Sequence, residues 1–218
     1  MIVVGLTGSI GMGKSTVSRS FVSYGAVAWD ADQAVHQLMD VDGLAVKLIG
    51  TEFPESKVKK SGFEYIDRNI LGRMIFDNVD LLRRLESIIH PLVHDSRKQF
   101  LAIAKQQRCS LVILDIPLLF ETAGDLACDA TVVASAPEFV QKARVLRRKN
   151  MTEEKFKSIL KHQMSDLEKC RRADFVVKTG QSYRFSHKIV GDIVRELSAH
   201  ETRFGQKKGA LNRSSWGG

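Results

Sequence analysis

Cysteine is scarce in this chain: Cys109, Cys128 and Cys170 are widely spaced in 218 residues, and no C-x-x-C pair occurs. That number and spacing suggest neither a disulfide framework nor a zinc cluster, and a reducing cytoplasm is the expected setting. Aromatic residues make up only 7% and show no stacking pattern of the kind that single-stranded nucleic-acid binders use. No apolar run is long and uninterrupted enough to cross a bilayer, and Met1-Ile-Val-Val has no basic leader, so neither a membrane span nor export is expected. An N-K-x-D guanine signature is missing, as is any internal repeat.

What is present points to a folded domain that handles phosphates. A hydrophobic content of 44% over 218 residues suffices for one large core with a smaller part built into it. The formal charge of +8 suits either a nucleic acid or a small molecule carrying several phosphates, so charge alone does not choose.

Short apolar strands alternate with helical segments. Strands are predicted at Ile2 to Thr7, Ala26 to Trp29, Leu111 to Ile116, Thr131 to Ala134 and Phe175 to Val177, with a helix over Ser15 to Tyr24. This predicts a three-layer α/β domain with a mostly parallel five-stranded sheet and its ligand site at the carboxyl ends of the strands. Two intervals exceed what a crossover requires. Residues 31–109 are expected to form a helical insert that binds a second substrate, and residues 137–172 a two-helix lid. The core is then about 1–30, 110–136 and 173–200, followed by a basic tail, 201–218, expected to be disordered.

Gly8-Ser-Ile-Gly-Met-Gly13-Lys14-Ser15 satisfies G-x-x-x-x-G-K-[ST] between a strand and a helix. Gly11, Met12, Gly13, Lys14, Ser15 and Thr16 are therefore expected to hold ATP. Lys14 would contact the β- and γ-phosphates, Ser15 would ligate Mg²⁺, and Thr16 would lie near the α-phosphate. Asp115, at the end of an apolar strand, is the second expected Mg²⁺ partner. No acidic residue follows it directly, since Ile116 and Pro117 come next, which favours transfer to a bound acceptor over hydrolysis. Asp30 and Asp32 follow the second strand. In an extended segment they would point to one side, one serving as helix cap and the other as the base for the acceptor hydroxyl.

These residues resemble the dephospho-coenzyme A kinase family. Besides the glycine loop, the likeness rests on Asp30-Ala-Asp32, Ile89-His90-Pro91-x-Val93, Leu114-Asp115-Ile-Pro-Leu-Leu-Phe-Glu121, Gln141-x-x-Arg144 with Arg148, and Gln163 before Ala173-Asp174-Phe175. The resemblance spans Met1 to about Leu197 and implies a P-loop kinase fold. It implies ATP-dependent phosphorylation of the ribose 3′-hydroxyl of dephospho-coenzyme A, the final step of coenzyme A biosynthesis, with Asp32 as base. The chain departs from the pattern at Lys178-Thr179, where Asp or Asn is expected, and at Ile159, where many relatives carry Arg.

Arg144 and Arg148, one helical turn apart, would share a face that closes over ATP and stabilises the transferring phosphoryl group. Arg83 and Arg84, with Arg68 and Arg73, offer charge for the acceptor's pyrophosphate, and His90 is expected to pack or to touch the acceptor. The expected substrates are ATP and dephospho-coenzyme A, without nucleic acid or membrane, for a monomer or weak homo-oligomer. Two rival readings are another small P-loop kinase, acting on a nucleoside, nucleotide or hydroxy acid, and a nucleic-acid binder using Arg203, Lys207, Lys208 and Arg213.

Overall fold

The computed structural model describes residues 1–199 apart from 61, 77 and 150, so the expected tail lies outside the described residues. Elements run in the order β1 (Ile2–Thr7), α1 (Lys14–Ser23), β2 (Val27–Asp30), α2 (Ala31–Met39), α3 (Ala45–Glu52), β3 (Lys57–Lys60), β4 (Phe63–Ile66), α4 (Arg68–Ile75) and α5 (Val79–Gln106). Then come β5 (Leu111–Asp115), β6 (Ala130–Ser135), α6 (Glu138–Leu146), α7 (Glu153–Lys161), α8 (Asp166–Arg172), β7 (Phe175–Lys178) and α9 (Tyr183–Ala199). Among the described residues no helix is long and apolar enough to cross a membrane.

The main sheet has five strands in the order β2-β5-β1-β6-β7. β1 pairs in parallel with both β5 and β6, and β6 in parallel with β7. This is an α/β fold, and its central strands explain the continuous apolar runs: every residue of β1 and β5 is buried, as a sheet covered on both faces requires. Val4, Leu6, Ile113 and Val132 pack with Val17 and Phe21 of α1 and with Val190, Ile193 and Leu197 of α9. Burying each such side chain contributes roughly 1.5–3 kcal/mol. On the opposite face α8 packs against β6.

The chain divides into two compact units, Met1–Trp29 with Ala104 onward, and Asp30–Ile103. The second unit has its own core, built from Leu38, Val46, Ile49, Phe53, Ile66, Leu71, Leu85 and Ile89. Its helices start where the sequence supplies caps. Asp67 accepts from the N–H groups of Asn69 and Ile70 at 2.8 and 3.2 Å to open α4, and Asn78 accepts from Leu81 N–H at 3.0 Å near the start of α5.

Two expectations need correction. The interval expected to be helical also holds an antiparallel hairpin, β3 with β4, whose lysine-rich first strand gives no apolar run to read. The segment expected to hold two helices holds three, because Ser165 accepts from Glu168 N–H at 3.2 Å and starts α8 within a polar stretch.

Candidate active site

The loop between β1 and α1 takes its shape from two glycines. Gly11 and Gly13 have φ of 79° and 87°, the left-handed region in which a side chain is strained. Neither site has room for one. A Cβ at Gly11 would stand 2.5 Å from Val145 Cγ2, and one at Gly13 would stand 3.0 Å from Thr179 Oγ1. Gly13 is also the N-cap of α1 and brings no side chain to satisfy the helix's first N–H groups, and no acidic residue occupies the first turn. The N–H groups of Gly11, Gly13, Lys14 and Ser15 have no hydrogen-bond partner among the described residues. A row of backbone donors at a helix N-terminus is an anion site.

Register then brings in the carboxylate. Leu6 of β1 stands opposite Asp115, the last residue of β5, so the aspartate reaches the loop as the sequence predicts. Asp115 Oδ1 forms a close ion pair with Lys14 Nζ, with the carboxylate side chain only 3% exposed. Ser15 beside them is exposed.

The loop's carbonyl groups are held from outside. Gln141 Nε2 donates to Ile10 O at 2.8 Å, Arg144 Nη1 donates to Gly11 O at 3.4 Å, and Thr179 Oγ1 donates to Met12 O. Arg144 also donates to Oγ1 and to the carbonyl of Thr179, at 3.1 and 2.7 Å. The Ile10 N–H donates to Gln163 Oε1 at 3.1 Å.

Comparison with known proteins decides what this site belongs to. The family model described as dephospho-CoA kinase matches residues 2–184. A dephospho-CoA kinase of Mesorhizobium japonicum is 45% identical over 197 residues, covering 90% of this chain and 97% of that protein. One from Rhodopseudomonas palustris is 39% identical over 208 residues, covering 95% and 100%. The solved dephospho-CoA kinase from Campylobacter jejuni superposes with a TM-score of 0.68 at 26% identity, covering 91% of this chain and 98% of that one. TT1252 from Thermus thermophilus does so with a TM-score of 0.75 at 30% identity, covering 90% and 97%. The chain belongs to the dephospho-CoA kinase family. Kinases of this family take a phosphoryl group from ATP and catalyse the final step of coenzyme A biosynthesis.

Within this dephospho-CoA kinase chain, the run after Asp115 is tied to α8 by a lysine that nothing in the sequence singles out. Lys169 is 0% exposed, and its Nζ lies 2.9 Å from Glu121 Oε1 and donates to Pro117 O at 3.2 Å. Glu121 Oε1 also accepts from Met164 N–H at 2.8 Å. Burial alone would raise the Glu121 pKa, but the Lys169 ammonium and the backbone donors outweigh it and hold the carboxyl below its ordinary value. Burial and the Asp166 carboxylate push the Cys170 thiol up, which keeps it protonated and a poor nucleophile. Asp174 is structural: its Oδ2 accepts from the N–H and hydroxyl of Thr131, both at 2.8 Å, and so joins the starts of β6 and β7.

Other expected residues fall differently. Asp30 closes β2 and caps α2, accepting from Gln33 N–H at 3.0 Å, while Asp32 is exposed in the first helical turn. The two are therefore not paired on one extended segment, because the helix begins between them. α6 ends at Leu146 with Arg147 as C-cap, so Arg148 is exposed beyond the helix and does not share a helical face with Arg144. Arg84 lies 2.9 Å from Glu52, exposed Arg83 lies 3.9 Å from Asp80, and His90 is exposed on α5. Among the described residues no cluster of three or more His, Cys, Asp or Glu could hold a metal ion. A cavity of about 540 Å³ lined by Met1, Lys105, Arg108, Cys109 and Ser110 lies at the amino ends of β1 and β5, away from the phosphate loop. Ligands of such sheets bind at the carboxyl ends.

In the sequence Gln141 and Gln163 carry the family likeness and Thr179 a departure from it, without showing what they hold, and Lys169 carries no signal at all. The one local signal is at Gln141, which lies a helical turn before Val145 on the buried face of α6, where an apolar residue is the norm.

Proposed function

We propose that this chain transfers the γ-phosphoryl group of ATP to the ribose 3′-hydroxyl of dephospho-coenzyme A, giving coenzyme A and ADP. The observation that carries the reading is the row of N–H groups at the head of α1 that have no partner among the described residues, beside the Lys14 and Asp115 pair, in a chain of this family. Gly11 to Thr16 bind the phosphates of ATP. Lys14 moves its charge from Asp115 to the β- and γ-phosphates, and Arg144 adds charge from the side of the loop. The bond from the γ-phosphorus to the bridging oxygen breaks as the 3′-oxygen attaches, and the hydroxyl proton passes to Asp32. Asp30 supports this base by capping its helix.

The Ser15 hydroxyl and the Asp115 carboxylate are hard oxygen donors of the kind that fit Mg²⁺. When bound, the ion would supply Lewis-acid neutralisation of phosphate charge. Residues 31–109 bind the acceptor, with Arg83, Arg84 and His90 as candidate contacts, and residues 137–172, with Arg148, form the lid. The enzyme works in the cytoplasm as a monomer or weak homo-oligomer on small molecules.

A coupled assay of ADP release with dephospho-coenzyme A, AMP, CMP, adenosine and shikimate tests the acceptor. Dephospho-coenzyme A should turn over far faster than the others. Preferential turnover of another acceptor would overturn the assignment.

A further inference from the structure

We propose that Gln141 and Gln163 are positioning residues that set the phosphate loop in its nucleotide-binding shape by gripping the two peptide groups of Ile10. The inference rests on the reading that this loop holds the phosphates of ATP.

Both amides end on one loop residue but come from separate places. Gln141 lies on α6, and Gln163 follows His162, the C-cap of α7. A carbonyl oxygen only accepts and a backbone N–H only donates, so the partners fix the orientation of each amide. Gln141 must present its NH₂ to Ile10 O, and Gln163 must present its oxygen to Ile10 N–H. Gln141 is 4% exposed, on the same α6 face as Val145, which is fully buried and leaves no room for a Cβ at Gly11. The Gln141 arm of the grip is therefore packed in place, and Gln163 is half-buried.

The consequence follows from peptide polarity. Gln141, Arg144 and Thr179 hold the carbonyls of Ile10, Gly11 and Met12. With the carbonyls held there, the N–H groups of Gly11, Gly13, Lys14 and Ser15 are left as the loop's donors. A loop already set in this way has less conformational freedom to lose when the phosphates bind.

The test exploits the opposite polarity of the two amides. Gln141→Glu and Gln163→Glu add the same charge beside the same residue, at a buried position and a half-buried one, and Gln163→Leu separates the lost acceptor from any added charge. Only glutamate at 163 can still accept from the Ile10 N–H, whereas glutamate at 141 sets a carboxylate against a carbonyl. In calorimetric titration of the full chain with ADP, Gln141→Glu should bind about tenfold more weakly than Gln163→Glu. Gln163→Leu should also lose about tenfold in affinity. The kcat at saturating ATP should change much less than the KM for ATP, a split that a merely structural role would not produce. Equal affinities for the two glutamate variants, or a wild-type Kd for Gln163→Leu, would overturn the proposal. If Gln141→Glu fails to fold, Gln163→Leu against Gln163→Glu decides, because only the second retains the acceptor. ADP binding is read without any acceptor. A wild-type enzyme that binds ADP but ignores dephospho-coenzyme A would therefore overturn the proposed function and leave this test intact.

Discussion

Lys14 and Asp32 sit in different settings, and the proposed reaction asks different things of them. Lys14 is largely buried against Asp115 at the head of α1, so Lys14→Ala removes a cation from both bound and transferring phosphates. ATP affinity and kcat should fall together. Asp32 is exposed in the first turn of α2, and Asp32→Asn keeps its size while abolishing its basicity. ATP affinity should change little while kcat falls by about 10²-fold or more. Asp30 differs from both because its carboxylate is committed to the helix. Asp30→Ala should cost about 1 kcal/mol of stability through the lost cap, with a smaller kinetic effect than Asp32→Asn. Steady-state kinetics in both substrates, ATP titration and urea unfolding of the three variants check these roles. A near-native kcat in Asp32→Asn beside a large loss in Asp30→Ala would move the base to Asp30.

At the scale of elements, α8 depends on one buried charge. Lys169 joins it to the Pro117 carbonyl and to Glu121, and Ser135 adds a 2.6 Å hydrogen bond to Asp166. Breaking the pair on the lysine side leaves the half-buried Glu121 carboxylate with only its backbone donor, so Lys169→Met should cost about 1–3 kcal/mol. Removing both charges, as in Lys169→Met with Glu121→Leu, should recover most of that loss. The pH dependence follows from the depressed pKa of Glu121. A carboxyl held below its ordinary value in the folded protein contributes stability above the ordinary carboxylate range and loses it as pH falls through the lower, folded value. The wild type should therefore lose more stability than the double variant on acidification through that window. Parallel slopes in urea unfolding across it would show that the pair does not contribute. The pair is not legible in the sequence, because a lysine is ordinarily a surface residue and Glu121 is 48 residues away from it in the chain.

For the whole molecule, binding at the phosphate loop should appear as global stability. Ligand at about a hundred times its Kd adds about 2.7 kcal/mol, which in a chain of this size raises Tm by roughly 5–10 °C. ADP should produce such a shift in the wild type and little in Lys14→Ala, as thermal unfolding would show; an undiminished shift in the variant would remove Lys14 from the site. The sequence by itself determined β1, the glycine loop, α1 and the strand ending at Asp115, because apolar runs, left-handed glycines and cap residues act on neighbours within a turn or two. It also determined the family, through motifs kept in order along the chain. Tertiary structure alone decided the strand order that sets β1 at the centre of the sheet, the hairpin of β3 and β4, the early end of α6 and the burial of Lys169. It also decided the grip on Ile10, whose partners lie 131 and 153 residues away. A hydrogen bond across that separation leaves no periodic trace in sequence: Gln141 stands out only as a polar residue on a buried helix face and Gln163 only within the family likeness, and the fold alone brings their shared partner within reach.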